Sequence, residues 1–386
     1  MGTPKLIRKS QILGKVEQTP GTAETLTASE GECRIIVGAG FEPDLPTEPR
    51  NIARSSLTNI GSIPGQKAGT VSFRTEINTP DTITADSEFG DFLQGCGLTI
   101  STLSVITIGA ISSGPYQRGE TVTGSVTGDT GRVLKETANG ETSLYIEILT
   151  GTFDDDDENI VGASGASATA STVASDAGHI VKPVSDNQKT CTVEYQEGGY
   201  AWSVKGAMSN LVATLEASKP GYFDFNFTGP KNNFGDKALT TGITRDTEEP
   251  PILQCAEATI DSTTIVFSTI TFDMGNNVVH RIDGNSCDTG IIADFISSRE
   301  PKLTISFEHL PESTLDIFGD LDDASKVPIQ FTLGQTAGKI FRFFADNAQV
   351  TNIGMGDADG IRTLDVEFTL CGDAGDSDDE FEFTLQ

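Results

Sequence analysis

The chain has 386 residues, a length that allows two or three domains with cores of their own. Its 56 acidic and 26 basic residues give a formal net charge of −30 at pH 7, and such a surface repels nucleic acid and anionic lipid instead of binding them. The 41 glycines and the abundance of Thr and Ser indicate a mainly β protein. No stretch reaches the ~18 apolar residues of a membrane span. The N-terminus lacks the apolar core of a secretory signal, so we expect neither membrane insertion nor secretion.

The only clearly basic segment is residues 1–25, which we predict to be an N-terminal arm. All of its cations precede the first acidic residue, Glu17, and they are Lys5, Arg8, Lys9 and Lys15. Terminal segments of this kind usually stay mobile until they dock on a partner surface.

Two stretches of the chain follow the same order of strand, amphipathic helix and closing strand, which predicts a duplicated domain. In the first stretch, residues 70–73 lead to the helix and residues 225–228 close the unit; in the second, residues 304–307 and 366–369 take these places. Both helices carry apolar residues at helical spacing, namely Phe89, Phe92, Leu93 and Cys96 in the first and Leu315, Phe318 and Leu321 in the second. We therefore predict two tandem β-sandwich or barrel domains, each with one short helix, over residues 26–100 plus 186–230 and over residues 251–372.

Residues 101–185 interrupt the first domain, and we predict that they form a small inserted β module. A pattern that starts with Gly114 and continues through an aromatic residue into a Thr/Val-rich strand recurs from Gly151. Alternating Thr and Val between glycines is typical of β-hairpins. Further along the chain, the polar residues 231–250 are the predicted domain linker. Residues 373–386 are a predicted acidic C-terminal tail with one short strand at 381–385.

The sequence contains no motif that points to catalysis. The three histidines, His179, His280 and His309, are too far apart in sequence to suggest a cluster. The acidic run 154–158 lacks the ligand spacing and turn glycine of an EF-hand loop, which favours a solvated hairpin tip over a Ca²⁺ site. The cysteines form no C-x-x-C pair and are predicted to be buried, reduced thiols. We therefore expect no enzymatic activity, no bound metal and no cofactor.

Three sequence features resemble the major tail tube proteins of long-tailed, siphovirus-like bacteriophages. Residues 15–22, with the sequence KVEQTPGT, resemble the entry segment of that family. The strand–helix order of Phe73 and Phe92, followed by the glycine-punctuated strands that end at residues 225–229, resembles it as well. The likeness covers residues 10–230 and continues over 251–372, so the two predicted domains are expected to be of the tail-tube type.

The resemblance implies a structural role. In that family each domain contributes a sheet to a closed barrel, and the rings so formed stack into a tube that conducts DNA from capsid to host cell. With two domains per chain, three chains would form a pseudo-six-fold ring; a hexamer of chains is the alternative. The implied partners are further copies of the chain and the tape measure, terminator and distal tail proteins, while genomic DNA passes through without specific binding. The implied location is the virion tail, assembled in the host cytoplasm.

The dimensions of such a ring suit a DNA channel. Roughly 24 strands at ~4.8 Å spacing and ~40° tilt would give a barrel about 150 Å around and about 48 Å across. An acidic wall repels phosphate and lets DNA slide without being trapped. Glu194, Asp224 and Glu367 are the candidates to line this channel, because they alternate with apolar neighbours on predicted strands. The cations of the arm are candidates to dock on an acidic surface of the adjacent ring.

Other functions remain open at this stage. A different virion role, such as a tail terminator or a capsid decoration protein, fits the same β-rich composition. An acidic secreted carbohydrate-binding or adhesive protein fits less well, because the secretory signal is missing. An acidic hydrolase is disfavoured by the lack of a catalytic motif.

Overall fold

The structure is a computed structural model that describes residues 6–31, 33–78, 88–153, 159–172, 174–245, 249–254, 256–335, 339–373 and 378–386. Strands account for 53% of the chain and helices for 5%, which confirms the predicted mainly β class. The elements that begin before residue 100 are, in chain order, β1 (Ser10–Val16), a 3-10 turn at Ala28–Gly31, β2 (Gly40–Asp44), β3 (Thr47–Glu48), β4 (Ile63–Pro64), β5 (Ala68–Glu76), α1 (Gly90–Gln94) and β6 (Leu98–Thr107).

The middle of the chain contains nine further strands. They are β7 (Thr121–Gly124), β8 (Thr130–Val133), β9 (Ser143–Thr150), β10 (Ile160–Gly162), β11 (Ser167–Ala168), β12 (Ser175–Pro183), β13 (Cys191–Glu197), β14 (Tyr200–Glu216) and β15 (Tyr222–Asp236). The C-terminal part contains β16 (Glu257–Ile260), β17 (Thr263–Thr264), β18 (Phe267–Asp273), β19 (Asn276–Ile282), β20 (Ile291–Arg299), β21 (Lys302–Glu308), α2 (Ile317–Asp323), β22 (Lys326–Leu333), β23 (Phe341–Ala358), β24 (Ile361–Leu370) and β25 (Glu382–Leu385).

Two groups of strands have the same pairing order. In the first strand set the antiparallel pairs are β1–β13, β13–β14, β14–β15, β15–β5 and β5–β2. In the second strand set they are β16–β22, β22–β23, β23–β24, β24–β21 and β21–β18. Each set also has one short helix, α1 or α2, after its β5 or β21 strand.

The registers correct one detail of the sequence comparison. Phe73 lies opposite Phe225 in the first strand set, and Ile305 lies opposite Val366 in the second. If residues 225–228 match 366–369, then Phe73 matches Ile305 and not Phe307. A shift by two residues leaves every side chain on the same face of its strand, so the apolar pattern alone does not detect it.

Phenylalanine rings form the core of the first strand set. Phe73 stacks on Phe225 with 5.1 Å between ring centroids, and Phe92 of α1 meets Phe73 edge-on at 4.9 Å. The apolar residues of the first predicted helix, Phe89, Phe92, Leu93 and Cys96, are buried, whereas Phe318 and Leu321 of the second are half-buried. Gly95, just after the helix, is needed for this packing, because a Cβ there would lie 2.6 Å from Cε1 of Phe227.

The insertion between α1 and β13 has its own apolar core. Tyr116 and Phe153, the aromatic residues of its repeated pattern, are both completely buried in it. The hydroxyl of Tyr116 donates a hydrogen bond of 2.6 Å to the carbonyl oxygen of Ile160. The insertion is not held by its two chain connections alone, since β12 pairs with β25, and β25 also pairs with β23.

A partly buried ion-pair network joins the insertion to β25. Glu382 of β25 accepts hydrogen bonds from Arg118 at 2.5 Å and from Arg132 at 2.6 Å. Glu147 of β9 accepts from Arg132 at 3.0 Å and from Lys182 at 2.8 Å. The C-terminal strand predicted at 381–385 is thus present, and it joins the insertion to the second strand set.

Two predicted boundaries need correction. Residues 10–16 are strand β1 and not part of an arm, because Ile12 and Leu13 are buried and the strand pairs along its length with β13. The predicted linker 231–250 begins inside β15, which continues to Asp236 opposite Tyr200. In both cases the strand was missed because polar residues surround it in the sequence and its pairing partner is far away along the chain.

The cysteines were predicted to be buried, and the structure bears this out only in part. Cys33, Cys96 and Cys191 are buried, and burial raises the pKa of each thiol. Cys287 is exposed and Cys371 is half-buried, while Cys255 lies outside the described residues.

Candidate functional site: a polar sheet face with two open edges

Eight strands form an unbroken antiparallel run that crosses from the first strand set into the second. Their order is β2–β5–β15–β14–β18–β21–β24–β23. The crossing point is the pair β14–β18, in which Val212 lies opposite Asp273 and Glu216 lies opposite Thr269. The two strand sets therefore share one sheet, and we call this crossing point the internal junction.

One face of this run carries the apolar core and the other is polar. Because side chains alternate along each strand, the registers bring together on the polar face Thr70, Ser72 and Arg74 with Asp224 and Asn226. Acidic side chains outnumber the basic Arg74 and Lys302 on this face. They are Glu42, Glu76, Glu216, Asp224, Asp273, Glu308, Asp365 and Glu367.

Both basic residues on the polar face are paired across strands. Arg74 donates two hydrogen bonds of 2.7 Å to the carboxylate of Asp224, and this contact raises the pKa of Arg74. Lys302 donates to Glu367 at 2.9 Å, and the pKa of Lys302 is raised for the same reason. The remaining carboxylates give the face a negative balance.

The three predicted channel residues are found in two environments. Asp224 and Glu367 both lie on the polar face, on β15 and β24, and both are paired with a basic residue. Asp224 lies directly opposite Arg74, whereas Glu367 lies opposite Thr304 and reaches Lys302 diagonally. Glu194 is only 5% exposed and accepts hydrogen bonds from Lys237 at 2.6 Å and from Gln196. A buried and paired carboxylate adds no charge to a water-filled surface, so Glu194 is unsuited to line a channel.

The run ends in two open edges. In the part of the chain that the structure describes, no strand pairs with the outer edge of β2 or with the edge of residues 352–358 in β23 that faces away from β24. Met355 is 65% exposed there, whereas Ala213, at the corresponding place in β14, is 2% exposed because β18 pairs beside it. An uncovered edge of this kind is a ready template for another strand.

The sequence offered weak signals for these edges. Pro43 has no backbone N–H to donate to a ladder, and proline is confined to edge strands in sheets. Gly354 and Gly356 flank Met355 and leave this part of β23 without side chains to cover it. Neither signal identifies the partner strand, because strand pairing is a long-range property.

The predicted arm cations differ in their surroundings. Arg8 and Lys9 are exposed, next to the exposed apolar Leu6. Lys15 belongs to β1 and forms an ion pair with Glu30 at 3.5 Å. Lys5 lies outside the described residues.

One polar pair was not anticipated from the sequence. His280 of β19 hydrogen-bonds through Nδ1 to Asp294 of β20 at 2.6 Å, and Asp294 is buried. The hydrogen bond to Asp294 raises the pKa of His280, and burial raises the pKa of Asp294. The two residues are cross-strand neighbours in register, which no sequence spacing indicates.

The described ranges were also compared with what a metal site or a membrane span requires. They contain no group of three or more His, Cys, Asp and Glu side chains that would hold a metal ion. The acidic run 154–158 lies outside them. None of the described helices has both the length and the apolar character needed to span a membrane. Comparison with known proteins gives no family model that matches the chain and no curated protein of similar sequence.

Proposed function

We propose that the chain is a structural subunit that assembles into rings and tubes, as the tail tube of a long-tailed bacteriophage does. The observation that carries the proposal is the internal junction. The first strand set joins the second through β14 and β18, and the equivalent strands β23 and β2 are the two open edges of the run. Two tandem copies of one domain explain this arrangement. A domain of the next chain extends the sheet by pairing with an open edge in the same way.

Equivalent positions follow from the registers. Val212 and Gly354 lie opposite Asp224 and Asp365, which match each other in β15 and β24. Asp273 and Glu42 lie opposite Lys302 and Thr70, which match each other in β21 and β5.

These positions define the contact between copies. At the internal junction, Val212 lies opposite Asp273. By the same pairing, Gly354 of one copy lies opposite Glu42 of the next, and Met355 lies opposite Phe41. Edge pairing of this kind removes the exposed strands that would otherwise promote uncontrolled aggregation.

The ring follows from counting strands. A chain contributes eight strands to the run, so three chains give about 24, which closes a barrel about 48 Å across. The trimer then has pseudo-six-fold symmetry. The polar face lines the channel, with Asp224 and Glu367 on it, and its negative balance lets DNA pass without binding.

A cysteine pair tests the contact between copies. The variant Glu42→Cys/Gly354→Cys, made with Cys287→Ser to remove the exposed native thiol, is expected to form disulfide-linked trimers on oxidation, because directly opposed strand residues lie ~4.5–5.5 Å apart at Cα. The matched control, Glu42→Cys/Ile361→Cys, places the second thiol on β24 and should give no such product. Denaturing electrophoresis without reductant reads the result. Equal cross-linking of both variants, or none in either, would reject the proposed pairing.

A further inference from the structure

The hairpin β19–β20 connects β18 to β21 of the second strand set but packs on the first strand set. Asn276, at its start, donates through Nδ2 to the carbonyl oxygens of Cys96 at 2.7 Å and Ser209 at 3.0 Å. The backbone N–H of Ile296 donates to Oε1 of Gln188 at 3.3 Å. The hairpin therefore covers the end of α1 and the middle of β14.

The contact is too close for a side chain on the covered strand. A Cβ on Gly206 of β14 would lie 2.8 Å from Cα of Ala293 in β20. Thr190, next to this place, is only 3% exposed, and Met208 is buried. The hairpin thus lies close to β14, and Thr190 and Met208 beside it are buried.

The segment at the equivalent place in the first strand set is residues 45–66. It connects β2 to β5, as the hairpin connects β18 to β21. In contrast to the hairpin it is exposed nearly throughout, and only the short pair β3–β4 orders it. Its exposed apolar side chains are Leu45, Ile52, Leu57 and Ile63. Such a cluster on one segment is unusual for a surface that stays in water.

The equivalent receiving surface of the second strand set is uncovered. Lys326 matches Thr190 by register and is exposed, and Gln349 matches Met208 and is half-buried. Asp322, at the end of α2, is exposed as well. We call residues 320–327 and 346–349 the open seat.

Charge favours a match between the segment and the open seat. Arg50 and Arg54 are exposed on residues 45–66 of a strongly acidic chain. The open seat contains Asp320, Asp322 and Asp323. Burial raises the pKa of Asp320, and the carboxylates of Asp261, Asp316 and Asp323 raise it further, in keeping with a negative end of α2. The open seat also contains the exposed Lys326, so its acidic side chains are concentrated at the end of α2.

We propose that residues 45–66 of one copy dock on the open seat of a second copy of this chain, as the β19–β20 hairpin docks on the first strand set within each chain. This inference rests on the proposed function and extends it. In the assembled ring, β2 of one copy pairs with β23 of its neighbour, so the segment that follows β2 reaches the neighbour's open seat directly. The internal junction and its hairpin are the template for both contacts.

Hydrogen–deuterium exchange tests the docking in rings of the Glu42→Cys/Gly354→Cys variant. Its disulfide holds the ring together whether or not the segment docks. Residues 320–327 and 346–349 should exchange at least roughly tenfold more slowly in the ring than in the reduced, dilute monomer. In the ring of the variant Arg50→Glu/Arg54→Glu/Leu57→Ser, this protection should be lost. Residues 95–97 and 206–209 are an internal standard, because the hairpin of the same chain covers them in both states.

A ring of the exposed-site control Arg245→Glu should keep the protection of the open seat. Cross-linked rings whose open seat exchanges as fast as in the monomer would overturn the docking and leave the proposed function intact. Protection that survives in the segment variant would also overturn it. If no cross-linked ring forms, the proposed function fails, and this contact fails with it.

Discussion

Met355 provides a quantitative test of the open edge on β23. It is 65% exposed in the single chain, whereas the equivalent Ala213 is 2% exposed at the internal junction. Complete burial of a methionine side chain contributes about 1.5–3 kcal/mol, so covering the exposed part contributes about 1–2 kcal/mol at each contact between copies. This corresponds to a factor of about 5–30 in the association constant of one contact.

The variant Met355→Ser removes most of this contribution without disturbing the monomer, whose stability should change by less than about 0.5 kcal/mol because the site is exposed. Sedimentation velocity should show assembly only at a protein concentration at least about 5–30 times that required by the wild-type chain, because every contact in the ring is weakened. Val126→Ser is the matched control, because Val126 is 60% exposed on a turn of the insertion. An unchanged assembly threshold for Met355→Ser would refute burial of this edge.

Three further outcomes follow from the core and from two titrating groups. Phe225→Ala should lower the free energy of unfolding by about 3–5 kcal/mol in chemical denaturation, because the ring is buried in the phenylalanine core; a loss below about 1 kcal/mol would contradict that packing. Burial acts to raise the pKa of Glu382, but the nearby guanidinium groups, Arg132 among them, hold it below the ordinary value. Its contribution is therefore present above about pH 4.3 and lost as the pH falls through the lowered pKa, and Glu382→Gln should flatten the acid limb of a urea-denaturation series. The hydrogen bond to Asp294 raises the pKa of His280. Its contribution is complete below about pH 6.5 and lost as the pH rises through the raised value. The protection factors of β19–β20, which are exchange rates corrected for the intrinsic effect of pH, should therefore fall at high pH in the wild type and not in His280→Asn.

Local pattern predicted the parts of the fold that depend on local physics. The alternation of aromatic and polar residues at 222–227 is typical of a strand with one buried face, and Phe223, Phe225 and Phe227 are buried there. The helical spacing of Phe89 and Phe92 likewise predicted which face of the first helix packs against the core, and both side chains are buried.

Long-range pairing explains what the sequence did not reveal. Strand β1 was masked by its basic neighbours, since nothing local indicates that residues 10–16 pair with β13. The exchange of partners along β14, from β13 to β18, joins residues far apart in sequence and creates the internal junction. Of the predicted channel residues, Glu194 alternates with apolar neighbours as Asp224 does, but its strand β13 is buried on both faces. The open edges of the eight-strand run are likewise visible only once the order of its strands is known.

Electron microscopy of the purified wild-type chain tests the central claim most directly. The account predicts hollow tubes or stacked rings in which β2 of each chain continues the sheet of its neighbour beside residues 352–358, with the polar face toward the axis. Dispersed single chains at high protein concentration, or rings in which these two edges remain uncovered, would contradict it.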